Sequence, residues 1–227
     1  MLKMIIVDDE KIIRETIHSL IDWNSLGIDV AAVCKDGIEA FDCILDEYPD
    51  IVMTDIKMPG LSGLDLIEKV RAAQLNTEFI ILSGYGEFEF ARTAMRYGVK
   101  HYLLKPSNET EITQVIVSCV EKVIKYIGEH LSDSNLSLKW ISENYLFMNP
   151  DYVSKMFVKQ TGSKFSAYVT ELRIQEAKKL LLEHSEESPY AVAVMVGFGN
   201  NPQYFSQIFK KYTKLSPKDY VKSMLEP

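Results

Sequence analysis

A chain of 227 residues is long for one domain and comfortable for two, and its 47% hydrophobic and 25% charged residues are ordinary globular material able to bury a core. It holds no run of eighteen apolar residues and its amino terminus turns acidic at Asp8, so neither a membrane span nor a secretory signal is supported. Residues 1–128 carry 21 acidic against 13 basic side chains and residues 129–227 carry 11 against 12, a change that predicts two domains and gives the second little of the basic footprint left by phosphate contact.

The first half alternates strands and amphipathic helices five times. An apolar run over 3–7 predicts a strand closed by Asp8-Asp9-Glu10, and a helix follows near 10–21 with Ile12, Ile13, Ile17 and Leu20 at helical spacing. A loop over 22–27 leads to a second strand, 28–33, and Asp36-Gly37 opens a helix whose inner face is expected to carry Ile38, Phe41, Ile44 and Leu45. The third strand, Ile51-Val-Met-Thr-Asp55, is apolar until its last residue and turns at Pro59-Gly60 before a helix over 63–73. Strand four, 79–82, ends in Ser83-Gly84, a helix spans 87–97, and strand five, 101–104, ends in Lys105-Pro106. Asn108, with Glu111 three residues on, caps the fifth helix, which runs on toward Gly128 with no Pro- or Gly-rich linker. Either that helix continues into the second domain or a break is hidden near 120–122. The alternation predicts right-handed crossovers and a doubly wound five-stranded parallel sheet of flavodoxin-like α/β class.

Chemistry in such sheets gathers at the carboxyl ends of the strands. Asp8, Asp9, Asp55, Ser83 and Lys105 would therefore meet on one edge: three carboxylates, a hydroxyl and an ammonium. Helix caps and a solvated lysine are the plainer reading, but adjacent carboxylates facing a third repel strongly without a cation, which favours a hard-metal site beside a nucleophilic carboxylate. Cys34, Cys43 and Cys119 have no metal-ligand or redox spacing and fit a reducing cytosol, and the four histidines are scattered singly.

Asp8-Asp9, Thr54-Asp55 with Met58-Pro59-Gly60, Ser83-Gly84-Tyr85 and Lys105-Pro106, in this order and spacing, resemble the receiver domain of two-component response regulators over roughly residues 1–120. The resemblance implies Asp55 as phosphoacceptor and a Mg2+ pocket made by Asp8, Asp9, Asp55 and the backbone carbonyl of Lys57. It further implies Ser83 and Lys105 as the groups that contact the phosphoryl oxygens, Tyr102 as a switching aromatic, and a cis bond between Lys105 and Pro106. The family uses the face of helix 87–97, strand five and the fifth helix for dimerisation, where Phe88, Phe90 and Tyr97 lie.

From Ser132 onward the periodicity is helical. Leu136 to Ile141 predicts a short helix, 144–148 a turn, and Asn149-Pro150 the start of a helix that Thr161-Gly162 ends. A long helix follows from Phe165 to about Leu182. The pattern then repeats: Val192-Ala193 on a short helix, the turn 197–201, and a helix opened by Pro202 that ends in Lys210-Lys211-Tyr-Thr. Tyr152-Val-Ser154…Phe157 echoes Tyr204-Phe-Ser206…Phe209, an internal repeat of two helix-turn-helix units. With Arg173-Ile174, Ala177 to Leu181, Val196-Gly-Phe198 and Ser216-Pro217, this half is similar to the AraC/XylS-type DNA-binding domain.

Base-edge and backbone contacts are expected from Asp151, Ser154, Lys155 and Lys159 in the first unit and from Asn201, Gln203, Ser206, Gln207, Lys210 and Lys211 in the second, the amides and hydroxyls suiting bases and the lysines suiting phosphates. The resulting expectation is a cytoplasmic regulator of 1–121 (receiver) and 122–227 (all-α double helix-turn-helix). It takes a phosphoryl group from a sensor histidine kinase, dimerises when phosphorylated, binds double-stranded DNA and has no membrane partner. A magnesium phosphatase on the same sheet is disfavoured, because Lys57 stands where a second acid two positions after Asp55 is needed. The alternative is a receiver serving as an unphosphorylated dimerisation scaffold for a constitutive DNA-binding protein.

Overall fold

The computed structural model describes residues 1–84, 88–183, 187–199 and 201–225. Five strands, β1 (Leu2–Val7), β2 (Ile28–Cys34), β3 (Ile51–Asp55), β4 (Glu78–Ser83) and β5 (His101–Leu104), form one parallel sheet in the order β2-β1-β3-β4-β5. Strand order reverses between β1 and β3. Val7 lies opposite Thr54 and Asp55 opposite Leu82, so Asp8 and Asp55 leave the sheet side by side.

Helices α1 (Lys11–Leu20) and α5 (Glu109–Glu129) cover one face, and α2 (Gly37–Glu47), α3 (Gly63–Ala72) and α4 (Phe88–Arg96) cover the other. Burial on both faces is why β3 and β4 read as unbroken apolar runs. The helix faces are rotated from two expectations. Ile38 and Leu45 of α2 are exposed, and the inner stripe is Gly37, Ala40 and Ile44 with Phe41 half-buried. At Gly37 a Cβ would lie 2.3 Å from the Leu61 carbonyl oxygen, so the helix makes its closest approach there and turns its neighbour Ile38 outward. On α1 only Ile17 is buried and Ile13 half-buried, while Ile12 and Leu20 face solvent.

The capping box of Asn108 and Glu111 starts α5, which then runs 21 residues without the break near 120–122 that the sequence left open. Its buried stripe, Ile112, Ile116, Cys119, Val120, Val123 and Ile127, begins under the sheet and ends under the second half. There α6 (Leu138–Trp140) leads into a π-helical turn, Ile141–Leu146, and α7 (Pro150–Thr161) follows. Residues 144–146, expected in a turn, belong to that π-helix. Its wider spacing lets Ile141 and Leu146, five apart, both enter the core, and the chain reverses only at Phe147, which adopts a left-handed conformation.

Tyr152, Val153, Met156 and Phe157 of α7 share one continuous core with β1 and α5, and the Tyr152 hydroxyl donates 2.7 Å to the Ile116 carbonyl. The helices α8 (Phe165–Glu183), α9 (Pro189–Met195), α10 (Pro202–Thr213) and α11 (Pro217–Leu225) complete the chain. They enclose a separate core of Ile174, Ala177, Leu181, Val192, Ala193, Val196, Phe198, Phe205 and Phe209. Arg173 bridges the two units: it donates to the Leu131 and Asp133 carbonyls at 3.0 and 2.6 Å and lies over the Phe198 ring. The sequence reading did not delimit α11, although Ser216-Pro217 with Asp219 at the third helical position is a start signal; Ser216 Oγ accepts from the Asp219 amide.

A core shared across the two halves should unfold as one. Met156→Ala removes a fully buried side chain of α7, and we expect it to cost about 2–5 kcal/mol in the unfolding of the sheet as well. Denaturation followed by the fluorescence of Trp23, which is buried in the shared core, in a Trp140→Phe background reads this. An unmoved Trp23 transition would show the cores to be energetically separate.

Candidate functional site

The carboxyl edge of the sheet gathers the acidic residues. Oxygens of Asp8, Asp9 and Asp55 lie within 4.8 Å of one another, with Asp8 fully buried, Asp55 nearly so and Asp9 exposed at the rim. Lys105 comes from the end of β5 and places Nζ 2.6 Å from Asp8 Oδ2 and 2.9 Å from Asp55 Oδ2. Among the described residues no group besides the Lys105 ammonium reaches the buried Asp8 Oδ2, which leaves that oxygen room for a further ligand. That oxygen, the crowded carboxylates and the open rim at Asp9 fit a hard divalent cation with oxygen ligands.

Backbone geometry fixes the site. The Ile56 amide donates to Asp55 Oδ1 at 2.7 Å, and Gly63 packs so close to the Asp55 carbonyl that a Cβ would lie 2.0 Å from its oxygen. The Lys105 amide donates 2.7 Å to the Ser83 carbonyl, holding the ends of β4 and β5 together, and the Lys105–Pro106 bond is cis. Ser83 is buried and its hydroxyl donates to the Gly84 carbonyl. Lys57 stands exposed at the mouth with Nζ 5.5 Å from the centre of the Phe90 ring. Tyr102 is half-buried against the face that holds Ala94 and Val99. Tyr85, expected to follow the Ser83-Gly84 motif, lies outside the described residues, as do Glu87 at the predicted helix start and Asn200 in the second turn.

Burial raises the Asp55 pKa above the usual carboxylate value; the hydrogen bond and charge of Lys105 oppose it, and Asp8 adds to it. For Lys105 burial alone would favour the neutral amine, but hydrogen bonds to Asp8 and Asp55 outweigh it and leave the pKa raised, so the ammonium is held firmly. The arrangement is a buried nucleophilic carboxylate with a fixed cation beside it, suited to accepting a phosphoryl group.

The two helix-turn-helix faces differ. On α10, Gln203, Ser206, Gln207, Lys210 and Lys211 are exposed, while the Asn201 side chain is used as the helix cap, accepting from the Tyr204 amide at 3.0 Å. On α7, Asp151, Lys155 and Lys159 are exposed and Ser154 is half-buried, but this face borders the sheet. Lys155 Nζ is 2.7 Å from Asp50 Oδ1, Asp151 and Ser154 line the same cleft, and the alkyl chain of Lys159 lies over Gly27. Asp50, Asn76 and Glu78, which receive this helix, were not anticipated. The one available signal was Glu78, an acid at the head of the apolar run Phe79–Leu82.

Residues 4–117 match the response regulator receiver domain and residues 143–223 a helix-turn-helix domain. The transcriptional regulatory protein YesN of Bacillus subtilis is 30% identical over an alignment that covers 97% of this chain and 97% of YesN. That alignment spans 358 positions against 227 residues here, so at least 131 positions (358 less 227) of YesN have no counterpart. The transcriptional regulatory protein HptR of Staphylococcus aureus is 28% identical, covering 98% of this chain and 99% of HptR. Among solved structures, the receiver domain of the response regulator AraT from Geobacillus stearothermophilus is 38% identical with a TM-score of 0.51, over 55% of this chain and 97% of that one. No helix among the described residues is long and apolar enough to cross a membrane.

Because the folded Asp55 pKa stands above its unfolded value, the folded state binds the extra proton between the two, and stability falls as pH rises through that window. Asp55→Asn is therefore expected to raise the melting temperature of metal-free protein at pH 7, by roughly 2–4 °C per kcal/mol relieved. The gain should shrink as pH is lowered toward the usual carboxylate range. Calorimetry at pH 7 and 5 checks it, and a gain that grows on acidification would contradict the assigned sign.

Proposed function

The chain belongs to the two-component response regulators that join a receiver domain to an AraC-type helix-turn-helix domain, and from this premise we propose that it is a phosphorylation-dependent transcription factor in which residues 1–121 receive the signal and residues 122–227 read DNA. A sensor histidine kinase is the donor, and the chain works in the cytoplasm, where donor and duplex are both within reach.

The supporting observation is the meeting of Asp8, Asp9 and Asp55 oxygens within 4.8 Å beside Lys105. An Asp55 carboxylate oxygen attacks the donor's phosphorus, the P–N or P–O bond to the donor breaks with its electron pair leaving on the donor atom, and an acyl phosphate remains on Asp55. The receiver catalyses only this transfer to itself. Asp8, Asp9, Asp55 and the Lys57 carbonyl would hold a Mg2+ ion, which would supply charge neutralisation in the loose transition state. Lys105, already 2.9 Å from Asp55, takes a phosphoryl oxygen as its new partner, and the Ser83 hydroxyl turns from the Gly84 carbonyl to another. Movement behind β4 and β5 reshapes the face where Phe90, Met95 and Leu104 are exposed and Tyr102 is half-buried, which becomes the dimer contact.

On the DNA side, the exposed amides and hydroxyl of α10 face bases, and Lys210 and Lys211 face phosphates. Incubation with Mg2+ and a small acyl-phosphate donor should add one phosphoryl group by intact mass and shift sedimentation toward a dimer, with Asp55→Asn inert in both. An adduct on the Asn variant, or none on the parent, overturns the assignment. Lys210→Ala and Lys211→Ala should each lower the salt slope of duplex binding by about 1, uniformly across sequences; an unchanged slope removes both lysines from the interface.

A further inference from the structure

The edge of the sheet opposite the acidic pocket is not free. The loops that precede β2, β3, β4 and β5 meet the first helix-turn-helix unit there, through Gly27, Asp50, Asn76, Glu78 and Lys100. Asn149 is the pivot. Its Oδ1 caps α7 by accepting from the Asp151 amide at 2.8 Å, its Nδ2 donates 2.7 Å to the Asn76 carbonyl, and its backbone N–H donates to Glu78 Oε1. Further along α7, Lys155 is paired with Asp50, whose other oxygen accepts from the Lys3 amide at 2.9 Å and so cannot swing away. Lys100 Nζ lies 5.1 Å from the centre of the Phe147 ring in the turn before α7.

The side chains used are those that would face DNA. A reading helix must enter a major groove ~12 Å wide with a phosphate backbone on each side. The receiver abuts that side of α7, where Asp151, Lys155 and Lys159 keep some exposed surface, and the Asp50 carboxylate holds the lysine a phosphate would otherwise hold. We infer that the lower edge of the receiver sheet is a docking surface for the DNA-reading face of α7, an acidic stand-in for the duplex that leaves α10 as the reading helix exposed in the resting chain. This rests on the reading of α7 as a DNA-contacting helix.

The surface is also tied to the receiver's moving parts. Arg71 Nε donates 3.2 Å to the Tyr97 carbonyl at the end of α4, and its Nη1 donates 2.8 Å to the Thr77 carbonyl, one residue before Glu78. The α4 helix follows the Ser83 loop. Displacement of α4 therefore reaches the strand end that holds Asn149 without passing through the DNA-binding half.

The test uses the full chain without phosphodonor. Asp50→Asn keeps an oxygen for the Lys3 amide but removes the charge opposite Lys155, and Glu78→Gln weakens the acceptor for Asn149; neither residue belongs to the DNA-binding half. Affinity for a mixed-sequence duplex is measured by anisotropy, and amide exchange over 149–158 by mass spectrometry, on the parent, each single variant and the pair. The double variant should bind about 5–150-fold tighter, the range of ordinary allosteric coupling, with faster exchange at 149–155. Unchanged affinity with unchanged exchange overturns the docking surface. Faster exchange without tighter binding overturns the inference through its premise, because α7 is then freed and still does not read DNA; binding lost in Lys210→Ala with Lys211→Ala shows separately that α10 does.

Discussion

Two buried carboxylates held side by side at the point where strand order reverses are the constraint around which the receiver is built. Asp8 and Asp55 leave adjacent parallel strands in register and cannot separate without breaking the β1–β3 pairing. Their repulsion is met by Lys105, which enters from two strands away. The sheet therefore needs β5 in place, and β5 needs the Ser83 carbonyl that accepts from the Lys105 amide. A change of charge at one oxygen is felt at once by three strand ends. The buried strands behind them are packed like a solid and transmit displacement rather than absorbing it.

The opposite ends of the same strands carry the second polar system, and its logic is different. Glu78 is buried, which raises its pKa, while the Asn149 amide and the charges of Arg71 and Lys100 pull it back. A carboxylate so placed is costly to leave without its partners. This gives the docked position of the first helix-turn-helix unit its definition, whereas the half-exposed Lys155–Asp50 pair adds direction and little energy. The near-neutral charge of the second half fits the same picture: it supplies little net electrostatic attraction to set against such a restraint.

Most of the fold was legible because its signals are local. Strands buried on both faces must be continuous apolar runs, and Asp55, Ser83 and Lys105 each stand where such a run stops. The caps at Asn108 and Asn149 and the helix start at Pro202 were readable for the same reason. What could not be read was anything decided by distant packing. The outward turn of Ile38 depends on Leu61, 23 positions on, and the engagement of Asn149 depends on Glu78, 71 positions away with no shared motif. The π-helical turn was hidden because Ile141 and Leu146, five apart, suit neither the helical nor the strand period.

The unbroken α5 has a consequence for what lengths this protein tolerates. Its 21 residues form a strut of about 31 Å, with one end seated on the receiver sheet and the other beneath the first helix-turn-helix unit. Each residue added or removed in its middle would turn the far end by about 100° and slide it about 1.5 Å, carrying the buried stripe out of phase. Insertions near whole numbers of turns, such as about seven or eleven residues, nearly restore the phase, and even those lift Asn149 away from the strand ends it contacts. Length in this helix is thus quantised, and the additional sequence of a relative such as YesN has no room inside it without a different seating of the two halves.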